Sequence, residues 1–157
     1  MSLVSRPGET LFLDANVLVS AAWKQDAEIA LIWQMKDARL ITSDYVMGEV
    51  QRNLHQVSQI ERLRALMRSV RIVSFDYAPD LPEAAELPEK DRPVLSAAVQ
   101  SQADHLVSGD KKHFGPWCGK RIRGVRITAP TELLALLRQA LPEDPRGLSP
   151  AIAYNER

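Results

Sequence analysis

The sequence predicts an α/β fold: a three-layer α/β/α sandwich with a central parallel sheet of about five strands, covered by helices on both faces. Short apolar runs alternate along the chain with longer segments of helical period. The 157 residues are 45% hydrophobic, enough for one domain with its own core. Residues 1–141 are expected to form that domain, and residues 142–157, rich in Pro, Gly and charge, an extended or mobile tail.

Leu11-Phe12-Leu13 reads as a buried strand ending at Asp14, and Ala15 to Trp23 continues as a helix with Val17, Leu18, Ala21 and Ala22 on one face. A second helix is expected from about Asp26 to Lys36, with Ile29, Ile32 and Trp33 inward. Arg39 to Thr42 is a second strand, and Ser43 is placed to cap a helix whose stripe is Val46, Val50 and Leu54. Ile60, Leu63 and Met67 mark another helix, and Arg71 to Ser74 a third strand. Residues 76–90 hold Pro79, Pro82 and Pro88 among many acids and read as a loop. Helical period resumes from Asp91 to Ser101. His105 to Ser108 and Val125 to Ile127 are the fourth and fifth strands, and Thr131 to Gln139 the last helix.

Twenty basic and twenty acidic residues cancel, so no global positive field draws this chain to nucleic acid. Cys118 is the single cysteine and has no internal disulfide partner, which fits a reducing compartment. The N-terminal residues hold no apolar signal region, and no run approaches the ~18 apolar residues of a membrane span. These features predict a cytoplasmic protein without a membrane partner.

A parallel sheet binds ligands beyond the carboxyl ends of its strands, where strand order reverses. Asp14 comes directly after the first strand there, and Asp110 after the fourth. Each is either a ligand in a shared crevice or the cap of the next helix in the chain. Glu49 borders the apolar stripe of its helix, where a carboxylate is costly unless paired or metal-bound. Its alternative is an ion pair with Arg52 at i+3. Asp91 stands at the head of a buried helix face, where it either joins the site or complements the helix dipole. Four carboxylates at element ends suit the hard cations Mg²⁺ and Mn²⁺. His55, His105 and His113 are far apart in sequence and show no zinc spacing with Cys118. Carboxylates gathered in this way repel, and burial disfavours their charged forms, so their pKa values should rise without metal.

Three segments, FLDANVLVSA, TSDYVMGEV and KDRPVLSAAVQSQADHLVSGDKKHF, resemble successive motifs of the PIN-domain family, and the likeness spans residues 10–135. It implies the three-layer fold and metal-dependent endoribonuclease action on single-stranded RNA. The family's acids, catalytic and metal-binding, fall on Asp14, Glu49, Asp91 and Asp110. Asn16 and Ser108 match its small polar residues, which support the ligands. Asp104 is either an accessory acid or a turn cap before the fourth strand. Many bacterial members of this size are VapC-type toxins, so the resemblance also implies an antitoxin partner and a homodimer.

Phosphodiester hydrolysis needs an activated water, charge stabilisation and in-line geometry, all of which a bound cation provides. Lys111, Lys112, Arg121 and Arg123 lie in a stretch free of acids just after Asp110 and are candidates to bind the RNA backbone, with Phe114 and Trp117 to stack bases. A second basic group is Arg62, Arg64, Arg68 and Arg71. Two other readings exist. A haloacid-dehalogenase-like phosphatase also opens on a strand ending in Asp, but requires a second acid where Asn16 stands. A non-catalytic RNA- or protein-binding module would have no need of four acids.

Overall fold

The computed structural model describes residues 8–74 and 81–140. Five strands run parallel: β1 (Thr10–Leu13), β2 (Arg39–Ser43), β3 (Val70–Val73), β4 (His105–Val107) and, after the short strand β5 (Arg121–Ile122), β6 (Val125–Thr128). Their order is β3-β2-β1-β4-β6-β5, with β5 antiparallel to β6 at the edge. The chain moves outward from β1 through β2 to β3, then returns to place β4 on the other side of β1. The strand order therefore reverses between β1 and β4, and that is where a crevice opens in such sheets.

Leu11, Phe12 and Leu13 are all completely buried. Successive side chains of a strand point to opposite faces, so both faces of β1 are covered, as a three-layer sandwich requires. The covering helices are α1 (Ala15–Trp23), α2 (Asp44–Asn53), α3 (Val57–Met67), α4 (Arg92–Gln100) and α5 (Pro130–Ala140). The expected stripes are inward: Val17, Leu18, Ala21 and Ala22 on α1, and Val46 and Val50 on α2, with Leu54 buried just beyond it. The carboxyl end of α1 is closed from α3, where Arg62 donates to the carbonyls of Ala22 and Trp23 at 3.0 Å each. Part of the second basic group is thus committed to holding two helices together.

Two elements differ from expectation. Glu28–Gln34 is a 3-10 helix and not an α-helix. Ala27 at its start offers no side-chain cap, and the segment is tied to α3 by Trp33, whose indole donates to the Leu66 carbonyl at 3.0 Å. The five parallel strands are as expected, and the sheet adds a short sixth at its edge. The additional strand, β5, belongs to a hairpin whose two central residues, Arg123 (φ 50°) and Gly124 (φ 88°), are both left-handed. That is the geometry of a tight two-residue hairpin turn. Arg in place of the usual Asn or Asp conceals it in the sequence. The loop expected at 76–90 contains short 3-10 turns at Pro82–Ala84 and Glu89–Asp91, while its residues 76–80 lie outside the described residues. The tail expected at 142–157 also lies outside them.

Candidate metal centre

Three of the four expected acids are delivered to the β1/β4 crevice by the ends of their elements. Asp14 ends β1 and precedes α1, and is only 5% exposed. Asp110 comes after β4. Asp91 stands at the start of α4, 7% exposed, with helical backbone angles and no capping hydrogen bond from its side chain. Its carboxylate is therefore not used to cap the helix. Glu49 arrives differently. Ser43 caps α2 by accepting from the Val46 amide at 3.2 Å, so α2 starts at the carboxyl end of β2. It brings half-buried Glu49 near enough for Asp14 to feel its charge, though Glu49 is not among the acids that meet at His113. Among the described residues no ion pair joins Glu49 to Arg52.

Ser108 links the two strand-end acids. Its hydroxyl donates to Asp14 Oδ2 at 2.8 Å and accepts from the Asp110 amide at 3.2 Å. The Asn16 amide donates to Asp14 Oδ2 at 3.4 Å and to Ser108 Oγ at 3.3 Å, while its oxygen accepts from the Gly109 amide at 2.7 Å. A Cβ at Gly109 would come within 3.3 Å of that Asn16 oxygen, so a glycine lets the loop approach this closely. Asp14 Oδ1 accepts from the Ala15 amide at 2.7 Å. Asn16 and Ser108 thus hold Asp14 and the Asp110 loop in one fixed geometry.

Asp110 is oriented from the other side. Its Oδ1 accepts from the amides of Lys112 and His113 at 3.1 Å each. The turn brings His113 Nδ1 to 2.8 Å from Asp110 Oδ2 and to 2.8 Å from Asp91 Oδ2. These are ion-pair distances. Yet His113 Nδ1 and Asp91 Oδ2 are buried without the alignment of a hydrogen bond to any partner. Ligand atoms of Asp91, Asp110 and His113 all lie within 4.8 Å of one another.

The electrostatics agree with this crowding. Burial pushes the Asp14 carboxyl up to about 6 from its ordinary 3.8, helped by the charges of Glu49 and Asp91 and opposed by the hydrogen bonds from Ser108 and Ala15. Asp91 is also raised, first by burial and then by Asp110, with His113 and Lys90 pulling the other way. The Tyr45 phenol is raised by burial and by Glu49, Asp91 and Asp14. It stands at the rim and donates to the Lys90 carbonyl at 2.7 Å. Buried acids that feel one another's charge, with one oxygen unpartnered, are the donor set a divalent cation fits.

His113 and Tyr45 were missed by sequence reasoning. The i,i+3 spacing of Asp110 and His113 is the signal the sequence offers for His113, and it lacks the spacing of a zinc motif. Asp104 lies at the other end of the sheet, where its Oδ2 accepts from the Thr10 amide at 2.7 Å, and it joins β1 to β4 as a turn cap. The basic residues divide. Lys111, Lys112 and Arg121 are exposed. Arg123 is half-exposed but donates to Glu83 at 2.6 Å. Phe114 is 1% exposed and belongs to the core, so it is not a base-stacking platform. Trp117 is partly buried under the Lys120 ammonium, 5.8 Å from its ring centroid.

A sheet switch point that collects buried acids and a histidine is, in an α/β/α protein, an arrangement able to hold a divalent cation. The sequence matches the PIN domain model over residues 10–112, and the chain belongs to the PIN domain family, whose members are generally nucleases using divalent metals. Among solved structures it is similar to a chain in the crystal structure of VapBC2 from Rickettsia felis bound to a DNA fragment from their promoter. The identity is 18% and the TM-score 0.56, over 76% of this chain and 98% of that one. No curated protein matches the sequence. Among the described residues no helix is long and apolar enough to cross a membrane.

Proposed function

We propose that this PIN domain is a metal-dependent endoribonuclease that hydrolyses phosphodiester bonds of single-stranded RNA. The observation that carries the reading is the convergence of buried Asp91 with Asp110 and His113 at the β1/β4 switch point, where the Asp91 oxygen has no aligned hydrogen-bond partner and buried Asp14 is joined to the Asp110 loop through Ser108. Asp14, Glu49, Asp91 and Asp110 would hold Mg²⁺ or Mn²⁺. When bound, the cation supplies positive charge for the phosphoryl oxygens and acidity for the attacking water. Ser108 and Asn16 fix the direction of the Asp14 carboxylate before substrate arrives. Asp14, with its carboxyl at about 6, has lost its proton at neutral pH and presents charge to the crevice. Lys111 and Lys112, exposed directly after Asp110, bind backbone phosphates, and Arg121 extends that path along the edge strand. The products carry a 5′-phosphate and a 3′-hydroxyl.

The setting we propose is a toxin–antitoxin pair, with this chain as a VapC-type toxin that forms a homodimer in the cytoplasm. Its support is the fold shared with the VapBC2 chain and the PIN domain match. Asn16 disfavours the phosphatase alternative, because its amide is taken up by Asp14, Ser108 and Gly109 where a second acid would be needed.

Purified protein incubated with mixed single-stranded RNAs in Mn²⁺, Mg²⁺ or EDTA tests the activity. Cleavage that needs metal and yields 5′-phosphate ends is expected. Equal cleavage in EDTA would overturn the reading. Growth arrest on expression, relieved by a co-expressed neighbouring gene product, tests the toxin setting, and light scattering tests the dimer.

A further inference from the structure

We propose that His113 is a metal ligand through Nδ1, beside Asp91 and Asp110, and that this nitrogen turns the site toward Mn²⁺ over Mg²⁺. The proposal rests on the metal-site reading above and adds a donor of a different chemical class. An octahedral ion with bonds of about 2.1 Å sets neighbouring ligand atoms about 3 Å apart. His113 Nδ1 stands 2.8 Å from one oxygen of each of the two acids, close to that edge length. A single ring N–H can align on only one acceptor, and here it aligns on neither. Asp91 Oδ2 is buried and equally without an aligned partner. Three donor atoms thus lie within 4.8 Å of one another, a grouping that one cation could share.

The local fold fixes this arrangement. Asp110 Oδ1 accepts from the His113 amide, so the same carboxylate that faces the ring also anchors its backbone. The i,i+3 turn carries the imidazole back over Asp110 Oδ2. On the far side, Asp91 is set by the first turn of α4. Glu49 and Asp14 contribute the remaining negative charge, as their effects on Asp14 and Tyr45 record. Mg²⁺ takes oxygen ligands and keeps its waters, whereas Mn²⁺ shares its liking for carboxylates but, as a transition-metal ion, also takes an imidazole nitrogen. A site of several carboxylates and one imidazole suits Mn²⁺, which accepts both.

The test uses the 157-residue chain loaded with Mn²⁺, made once with ordinary and once with ¹⁵N-labelled histidine. Pulsed electron paramagnetic resonance should show ¹⁴N modulation in the first sample, replaced by a ¹⁵N pattern in the second. This measurement does not depend on any variant folding. Calorimetric titration of wild type and His113→Gln should show the preference for Mn²⁺ over Mg²⁺ reduced at least about tenfold in the variant. Bound Mn²⁺ with no histidine nitrogen coupling would overturn the proposal while leaving an oxygen-ligated metal site in place. An unchanged preference in folded His113→Gln would overturn it too. Failure of Mn²⁺ to bind at all would overturn both this proposal and the metal-site reading.

Discussion

Strand β4 has an acid and a histidine at each end, and the two pairs behave in opposite ways. At its start, Asp104 accepts from the Thr10 amide, and buried His105 contacts Thr128 Oγ1 at 2.9 Å and Glu9 Oε2 at 3.0 Å. Beyond its end, Asp110 and His113 meet Asp91 at equally short distances, yet the His113 nitrogen and an Asp91 oxygen have no aligned hydrogen bond. The residue types and the contact distances are alike. The amino-end group closes on itself and holds three strands in register. The carboxyl-end group is left without aligned hydrogen bonds, at a cost in desolvation that the charge contact of His113 with Asp91 offsets only in part. Alignment of the polar atoms, and not their identity or burial, separates the structural cluster from the candidate site.

Substitutions should separate the two ends most sharply in activity. Asp14→Asn or Asp110→Asn is expected to reduce RNA cleavage by more than about a hundredfold while the protein stays folded, since supporting groups alone cost about 10–100-fold at metal sites. Asp104→Asn at the other end should leave the rate per folded molecule unchanged. Initial rates on a labelled RNA, with circular dichroism as the folding control, decide it. Equal losses at both ends would erase the distinction.

Stability should respond to pH at the open end. The folded chain holds a proton on Asp14 up to about 6, whereas the unfolded chain releases it near 3.8. Between those values the fold is therefore the better proton binder, so stability falls as pH rises through this window and levels off above it. The full effect is of order 3 kcal/mol for a shift of about two units. Melting curves in EDTA from about pH 4 to 7 should show wild type losing more than Asp14→Asn. A parallel pair of curves would assign the loss to other groups. Added Mn²⁺ should restore stability to wild type in proportion to its logarithmic concentration.

His105→Ala tests the closed end. It takes away the His105 partner of Glu9 while Thr128 Oγ1 keeps Arg126, at about 1–3 kcal/mol for the carboxylate left unpaired. A domain of this size loses about 2–4 °C in melting temperature per kcal/mol. Metal affinity should be unaffected, and a loss of Mn²⁺ binding would show that the two ends are coupled. The smallest effects are expected from the basic surface. Lys111→Ala and Lys112→Ala should each flatten the salt dependence of RNA binding by roughly 0.7–1 unit, and Arg123→Ala by less because Glu83 already occupies it. A larger effect at Arg123 than at Lys111 would move the RNA path toward the β5–β6 hairpin.

Much of the fold was legible because burial on both faces writes itself into sequence. Leu11-Phe12-Leu13 must be apolar throughout, and the α1, α2 and α4 stripes must recur at helical spacing, whatever the rest of the chain does. Asp14 and Asp110 were legible for a related reason, since a parallel sheet sends both strand ends to one edge. The local motif carrying Asp110 also gave the family resemblance. The Glu28–Gln34 segment was not legible as 3-10 because its apolar spacing fits either helix. The hairpin at Arg123-Gly124 was hidden by an arginine in a left-handed position, which β5–β6 pairing and the Glu83 contact accompany.

The sequence by itself determined the layers, the switch-point acids and the cap that aims α2, because each arises from periodicity or from one local hydrogen bond. Tertiary structure decided what those acids face. Phe114 and His113 stand next to each other in the chain, yet one turns into the core and the other toward Asp91, which lies about twenty residues earlier. No local pattern encodes that choice, because it depends on where α4 starts relative to the end of β4. The sequence also names Asp91 as an acid at a helix start without saying whether its carboxylate caps the helix. Only the packed structure leaves its Oδ2 buried and unaligned beside His113, and this is the physical difference between a helix cap and a candidate ligand.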